Sequence, residues 1–205
     1  MADTLTFYTN PQSRGRIARW MLEEVGATYD TQVLEYGGSM KGADYLAINP
    51  MGKVPAIKHN GRIITETAAI CAYLADVFPA AKLAPTDTER ANYYRWLFFA
   101  AGPMEAAIAN HSLKVDAPAD KEAMLGYGNF ETTMNVAEHA VTTHEFIAGD
   151  RFTAADVYFG SQIGFGLMFG SIEKRPAFEA YWGRISDRDA NQRASDLDNA
   201  LMQAG

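Results

Sequence analysis

The chain has 205 residues, 48% of them hydrophobic and 12% aromatic, so it can bury one large core or two smaller ones. Its formal net charge of −7 argues against a nucleic-acid partner, which requires a basic surface, and its single cysteine excludes an intramolecular disulfide. No apolar run approaches the ~20 residues that cross a bilayer, and no signal peptide is visible. We therefore expect a soluble cytoplasmic protein without a membrane partner.

The first part of the chain alternates predicted strands and helices. Leu5–Thr9 is rich in β-forming residues and stops at Asn10-Pro11. From Ser13 the apolar spacing becomes helical, and Gly26 is a natural end for that helix. Residues 28–35 alternate again and predict a second strand, which a glycine-containing loop follows.

The most informative stretch is residues 52–57, Gly-Lys-Val-Pro-Ala-Ile, which places Val54-Pro55 at the start of a short apolar strand. Asn60-Gly61 is the strongest short hairpin signal and predicts a returning strand. Glu66 and Thr67 then begin a helix, where free backbone N–H groups favour an anion. A valine backbone, a carboxylate and a hydroxyl with free amides are thus presented together. They fit a small zwitterionic peptide.

These motifs resemble the glutathione-binding half of the cytosolic glutathione transferases, of the bacterial type with a serine-like N-terminal motif. Residues 7–14 resemble the first strand and catalytic loop of that family, and residues 45–50 resemble its approach to a cis-proline. Residues 152–156 resemble the capping motif of its second domain. The resemblance therefore covers nearly the whole chain, in the expected order.

The resemblance implies a thioredoxin-like α/β N-terminal domain followed by an all-α C-terminal domain. We expect the glutathione-binding domain over residues 1–79, a linker over 80–87 and the helical domain over 88–205. Within the helical domain, the apolar spacing predicts one long helix over 88–110 and a second over 119–146. Thr153 to Asp156 forms a capping-box pattern before a further helix.

The resemblance also implies a set of glutathione-binding residues: Lys41, Lys53, Val54, Pro55, Glu66 and Thr67. In the family, the residue before the cis-proline pairs through its backbone with the cysteinyl part of glutathione. The acidic and hydroxyl pair holds the γ-glutamyl end. Lys53 resembles the residue that meets the glycine carboxylate, and Lys41 is a second candidate for that contact.

The thiol of glutathione needs activation, because a thiol of pKa ~8.5 is only ~3% ionised at pH 7. Ser13 is the first candidate to donate a hydrogen bond to the thiolate, with a purely capping role as the alternative. Tyr8 is a rival hydroxyl, although strand alternation also suits it to the core. Asn10 could donate its side-chain amide, or could serve only as a turn residue. Arg14 could add positive charge near the sulfur.

The implied function is transfer of the glutathione thiolate to a small hydrophobic electrophile, as in detoxification, by a homodimer. Glutathione is the expected co-substrate, with no metal or prosthetic group. Cys71 is expected to be a buried, inert thiol. Alternatives are a glutathione-dependent disulfide or peroxide reductase and a non-catalytic glutathione- or ligand-binding module. We expect the electrophile pocket between the two domains, with these candidates: Tyr93, Trp96, Met104, Ile108 and His111.

Overall fold

The computed structural model describes residues 4–115 and 118–203, which form two compact units. The first comprises residues 4–82 and 188–203 and the second residues 83–187. The elements are, in chain order, β1 (Leu5–Thr9), α1 (Gly15–Glu24), β2 (Asp30–Val33), α2 (Ala43–Leu46), β3 (Ala56–His59), β4 (Arg62–Thr65), α3 (Thr67–Val77), α4 (Arg90–Phe99), α5 (Glu105–Leu113), α6 (Phe130–Thr143), α7 (Ala154–Phe169), α8 (Pro176–Ser186) and α9 (Asp189–Gln203). None of the described helices is long and apolar enough to cross a membrane.

The first unit contains a four-stranded mixed sheet in the order β2-β1-β3-β4. β1 pairs in parallel with β2 and antiparallel with β3, which pairs antiparallel with β4. Asn60 and Gly61 both have positive φ, at 50° and 82°, as a two-residue hairpin turn of the predicted kind requires. The sheet and its helices confirm the thioredoxin-like prediction, and β2 is shorter than the predicted 28–35.

Helix α1 packs the predicted apolar face against the sheet. Ile17, Trp20 and Met21 are buried on it, while β1 contributes Leu5 and Phe7 to the same core. The helix ends where predicted: the amides of the next residues return to the last-turn carbonyls, and Gly26 has a φ of 65°.

The C-terminal helix α9 packs on α1, so its segment belongs to the first unit and not to the helical domain where the sequence boundaries placed it. Burial of Ala190 and Ala194 brings the two helices close together. Polar side chains on α1 form hydrogen bonds with side chains of this segment that lie 170 to 183 residues away in sequence. Local periodicity cannot reveal such a partner, so the boundaries drawn from the sequence include this segment in the helical domain.

The second unit is helical, as predicted, but its helices begin and end differently from the sequence prediction. The predicted helix over 88–110 is one run, α4 and α5, joined by a π-helical turn Ala100–Met104 that contains Pro103. The predicted helix over 119–146 is a 3-10 segment, Ala119–Met124, followed by a turn and then α6. Gly128 has a φ of 67°, a conformation that breaks the helix before α6.

Helix α7 is the centre of the second unit and packs against α4 and α8. A Cβ added at Gly164 would lie 2.7 Å from the Trp182 ring, and one at Gly160 would collide with Ile185. These two glycines therefore allow α8 to approach α7 closely.

The capping box at the start of α7 is formed by Thr153 and Asp156. The Asp156 carboxylate accepts from the amides of Ile147 and Thr153, at 2.7 and 2.9 Å, and from the hydroxyls of Thr153 and Tyr181, at 3.0 and 2.8 Å. Its burial raises the pKa of Asp156 to about 6, against the lowering effect of these donors. One carboxylate therefore joins the 147 turn, the start of α7 and α8.

We expect Asp156→Asn to lower the free energy of unfolding by about 2–3 kcal/mol, because the amide NH₂ must face a buried backbone N–H that loses its acceptor. Chemical denaturation measures the loss. Asp150→Asn, at an exposed carboxylate six residues earlier, is the control and should unfold like the parent. Equal stability of the Asp156 variant and the control would show that the four contacts contribute little.

Candidate functional site

Three segments meet at one end of the sheet in the first unit. Tyr8 pairs with Ala56 across β1 and β3, and Ala56 pairs with Thr65 across β3 and β4, so these residues form one row. Just beyond the row the chain leaves β1 into the loop Asn10–Arg14, enters β3 from Val54-Pro55 and leaves β4 into Glu66-Thr67. Since neighbouring strands lie about 5 Å apart, the three segments are adjacent.

The Val54-Pro55 peptide bond is cis, as the resemblance predicted. Among the described residues, neither the amide nor the carbonyl of Val54 has a hydrogen-bond partner. Val54 is half-buried and packs against the apolar cluster of Met40, Tyr45 and Ala56. Its side chain is thus fixed while its backbone is available to an extended peptide.

Two residues that the sequence analysis did not select hold this segment in place. The Tyr45 hydroxyl and the Asn49 side-chain amide both donate to the carbonyl oxygen of Lys53, at 2.6 and 2.8 Å. Asn49 also accepts from the amide of Met51, at 3.1 Å. The Asn49-Pro50 dipeptide is a turn signal that could have drawn attention to Asn49. Nothing local indicated that Tyr45 reaches the approach to the cis-proline.

Glu66 and Thr67 lie where the sequence placed them, at the start of α3. Glu66 is exposed and has φ 65° and ψ 115°, a conformation that L residues rarely adopt. Thr67 is 9% exposed, and its hydroxyl has no hydrogen-bond partner among the residues described. The first amides of α3 point out of the helix beside that hydroxyl. This helix start therefore offers an exposed carboxylate next to donors suited to an anion.

The two candidate lysines, Lys41 and Lys53, are exposed, and the Lys41 side chain contacts the segment just before Lys53. The Lys41 ammonium donates to the carbonyl oxygens of Gly52 and Met51, at 2.7 and 3.3 Å. These carbonyls immediately precede Lys53, so Lys41 braces the loop that carries Lys53. The contact gives Lys41 a structural role in addition to its positive charge.

The loop between β1 and α1 is tied together by Asn10 and Ser13. The side-chain NH₂ of Asn10 donates to the carbonyl oxygen of Leu34 at 2.8 Å, and its side-chain oxygen accepts from the backbone amide of Gln12 at 2.9 Å. The Ser13 hydroxyl donates to the Asn10 carbonyl at 2.6 Å and accepts from the Gly15 amide at 2.9 Å. Asn10 is thus used as a turn residue, and Ser13 has contacts of the capping type.

Tyr8 is half-buried, and its ring lies 5.6 Å from that of Tyr45 in the cluster around Met40. Among the described residues no group is hydrogen-bonded to its hydroxyl. Burial raises the pKa of the neighbouring Tyr45 to about 12, so Tyr45 stays a neutral donor to Lys53. Tyr8 therefore combines a core ring with an unused hydroxyl.

Cys71 is fully buried within α3, and burial raises the pKa of its thiol far above the usual range. Across residues 4–115 and 118–203, no group of three acidic, histidine or cysteine side chains could hold a metal ion.

Of the electrophile-pocket candidates, Tyr93, Trp96 and Met104 are buried core residues of the second unit. His111 is exposed, stacks on Phe130 with ring centroids 3.9 Å apart, and lines a cavity of about 220 Å³. The other lining residues are Ala107, Asn110, Val115, Glu122, Tyr127, Gly128, Asn129 and Phe130.

Comparison with known proteins gives consistent matches. The family model for the glutathione S-transferase N-terminal domain matches residues 14–77. Glutathione S-transferase GstA of Escherichia coli O157:H7 is 32% identical over 157 residues, or 75% of this chain and 77% of the relative. The disulfide-bond oxidoreductase YghU of Escherichia coli is 28% identical and covers 78% of this chain and 61% of its own. A sphingomonad glutathione S-transferase complexed with glutathione aligns with a TM-score of 0.75 at 27% identity, over 95% of this chain and 98% of that one.

We expect Glu66→Gly to raise the free energy of unfolding by about 1 kcal/mol, because glycine adopts positive φ without strain. Glu66→Ala, which keeps the Cβ, should not raise it. The two variants are compared by chemical denaturation. A Glu66→Gly protein no more stable than Glu66→Ala would mean that this backbone stores no strain.

Proposed function

The chain belongs to the glutathione S-transferase family, and we propose that it conjugates the glutathione thiolate to a small hydrophobic electrophile. Glutathione is the co-substrate. The observation that carries the proposal is the meeting of three segments beyond the row of Tyr8, Ala56 and Thr65. Each supplies a different recognition element for one short peptide.

In the proposed complex, the γ-glutamyl end lies at the start of α3. Its carboxylate accepts from the Thr67 hydroxyl and the first amides of the helix, and its ammonium pairs with the exposed Glu66 carboxylate. The cysteinyl backbone pairs with the free amide and carbonyl of Val54, as an added strand would. Lys53, with Lys41 beside it, meets the glycine carboxylate. Every charged group of glutathione thereby has a partner of opposite charge or a donor.

We assign activation of the thiol to Ser13. Its hydroxyl donates to the Asn10 carbonyl oxygen at 2.6 Å, and rotation about the Cβ–Oγ bond would turn the hydroxyl hydrogen to the sulfur. The hydrogen bond from the Gly15 amide to the serine oxygen strengthens the hydroxyl as a donor. The N-terminus of α1 adds favourable potential for a thiolate. Tyr8, with its unused hydroxyl, is the alternative donor.

The proposed chemistry needs no protein nucleophile. The glutathione sulfur donates its electron pair to the electrophilic carbon, a carbon–sulfur bond forms and the leaving group departs with the bonding pair. The protein contributes thiolate stabilisation and proximity. The buried Cys71 thiol, whose pKa is raised by burial, takes no part.

Glutathione-dependent disulfide reduction is a second candidate, favoured by the similarity to a disulfide-bond oxidoreductase. There the same thiolate attacks a disulfide sulfur, releases one thiol and leaves a mixed disulfide that a second glutathione resolves. A panel of a chloronitrobenzene, an organic hydroperoxide and a mixed disulfide separates the candidates. Conjugation of the chloronitrobenzene supports the proposal, reduction of the disulfide alone supports the second candidate, and glutathione binding without turnover leaves a binding module.

We further propose a cytoplasmic homodimer, the assembly that the family resemblance implies. Tyr94 and Phe98 on α4 are 41% and 68% exposed, with rings 6.3 Å apart. Such an exposed aromatic pair is a suitable part of a subunit interface. Sedimentation equilibrium reports the assembly directly.

We expect Thr67→Val and Glu66→Gln each to weaken glutathione binding by at least ~1 kcal/mol, because each removes a partner of a charged ligand group. Isothermal titration measures the change. Asp76→Asn is the matched control, since it removes an exposed carboxylate at the far end of the same helix. Affinities equal to the control in both variants would reject the γ-glutamyl assignment.

We expect Ser13→Ala to raise the pKa of bound glutathione and to lower turnover more than affinity. The variant removes a donor to the sulfur and leaves the glutamyl and glycyl contacts intact. Thiolate absorbance against pH, recorded on the complex, measures the shift. Tyr8→Phe is run in parallel, and if it shifts the titration while Ser13→Ala does not, the tyrosine is the activating hydroxyl.

A further inference from the structure

Helix α1 and the C-terminal segment run antiparallel and meet along a polar seam, formed by Arg16, Arg19, Glu23 and Glu24 on one side and Arg188, Arg193, Asp198 and Asn199 on the other. The charge changes sign along the seam. Near the end of α1, the two carboxylate oxygens of Glu24 accept hydrogen bonds from Nε and Nη2 of Arg188, at 2.6 and 2.8 Å. At the middle of α1, the Arg19 guanidinium pairs with the Asp198 carboxylate at 2.8 Å. Only the antiparallel register at this position matches every pair.

The Arg19–Asp198 pair fixes the end of α9 firmly. The two side chains are 3% and 0% exposed, and the guanidinium also lies 5.0 Å from the Phe7 ring centroid. A buried pair of this kind tolerates little displacement, because separating the two side chains leaves each buried charge uncompensated. Asn199 follows Asp198 directly and is therefore held at a defined position over the start of α1.

Arg16 connects this fixed point to the loop that carries Ser13. Its Nε donates to the Pro11 carbonyl at 2.7 Å, and its Nη2 donates to the Asn199 side-chain oxygen at 2.7 Å. The Met202 sulfur lies 3.7 Å from the same nitrogen. The planar guanidinium can make both bonds at once with fixed geometry, which a lysine ammonium cannot.

The loop is thus held from two sides. Asn10 ties it to the end of β2 through the Leu34 carbonyl, and Arg16 ties Pro11 to α9. Ser13 follows Pro11 by two residues. Its backbone amide and its hydroxyl both donate to the carbonyl oxygen of Asn10, at 3.0 and 2.6 Å. A shift of Pro11 would therefore move the proposed thiol-activating hydroxyl.

We propose that Asn199 is a positioning residue for the thiol site: acting through Arg16, it immobilises the Asn10–Ser13 loop and so aims the Ser13 hydroxyl. Its effect on catalysis rests on the proposed function, whereas its effect on the loop does not. Helix α9 then contributes to the thiol site of the first unit by holding this loop in position.

The test compares Asn199→Ala with Asn199→Asp, which keeps an acceptor for Arg16. Gln192→Ala, at an exposed residue on the same helix, is the control. Residue-resolved amide hydrogen exchange is measured at Gln12, Ser13 and Gly15, whose amides bond within the loop. We expect at least fivefold faster exchange in Asn199→Ala, and parental rates in the other two variants and at the β1 amides of all three.

On glutathione turnover, Asn199→Ala should lower kcat at least threefold with the KM for glutathione within twofold of the parent, and should shift the thiolate titration upward. Asn199→Asp should restore both. Parental loop exchange in Asn199→Ala overturns the proposal, as does faster exchange with unchanged kcat and titration in an active parent. A parent that binds no glutathione refutes the proposed function, and the exchange comparison then still decides whether Asn199 holds the loop.

Discussion

The hydrogen-bond ladders that place Tyr8, Ala56 and Thr65 in one row decide where the candidate site lies. A slip of one residue between β3 and its neighbours would turn every side chain to the opposite face. Tyr8 would then leave the cluster of Met40 and Tyr45, and the start of α3 would move away from the cis-proline. The two-residue turn at Asn60-Gly61 fixes the register between β3 and β4. The alternation of buried and half-buried residues along β1 fixes which face of that strand is turned to the core.

Local chemistry accounts for the features that could be predicted from the sequence. The Asn-Gly turn, the end of α1 at Gly26 and the capping box at Thr153 each depend on residues within a few positions of one another. The same holds for the start of α3 at Thr67, where a polar pair follows an apolar strand. The cis peptide bond came from the family resemblance, since most proline bonds are trans.

The remaining features depend on partners that sequence spacing does not reveal. Tyr45 reaches Lys53, and Arg16 reaches a residue 183 positions away, because of how elements pack rather than how they are patterned. The apolar spacing before α6 continued through residues whose glycines break the helix, so the predicted helix was too long. Ser13 shows a different limit: a hydroxyl that caps a loop and one that activates a thiol occupy the same position and have the same local sequence.

The position of α9 has a consequence for how the chain is made. Arg19 is synthesised early, but its counter-ion Asp198 is added only after all of the second unit has been synthesised. Until then, Arg19 has no counter-ion at a position that is buried in the finished protein, and the face of α1 that α9 will cover stays exposed to water. The first unit to emerge is therefore the last to be completed.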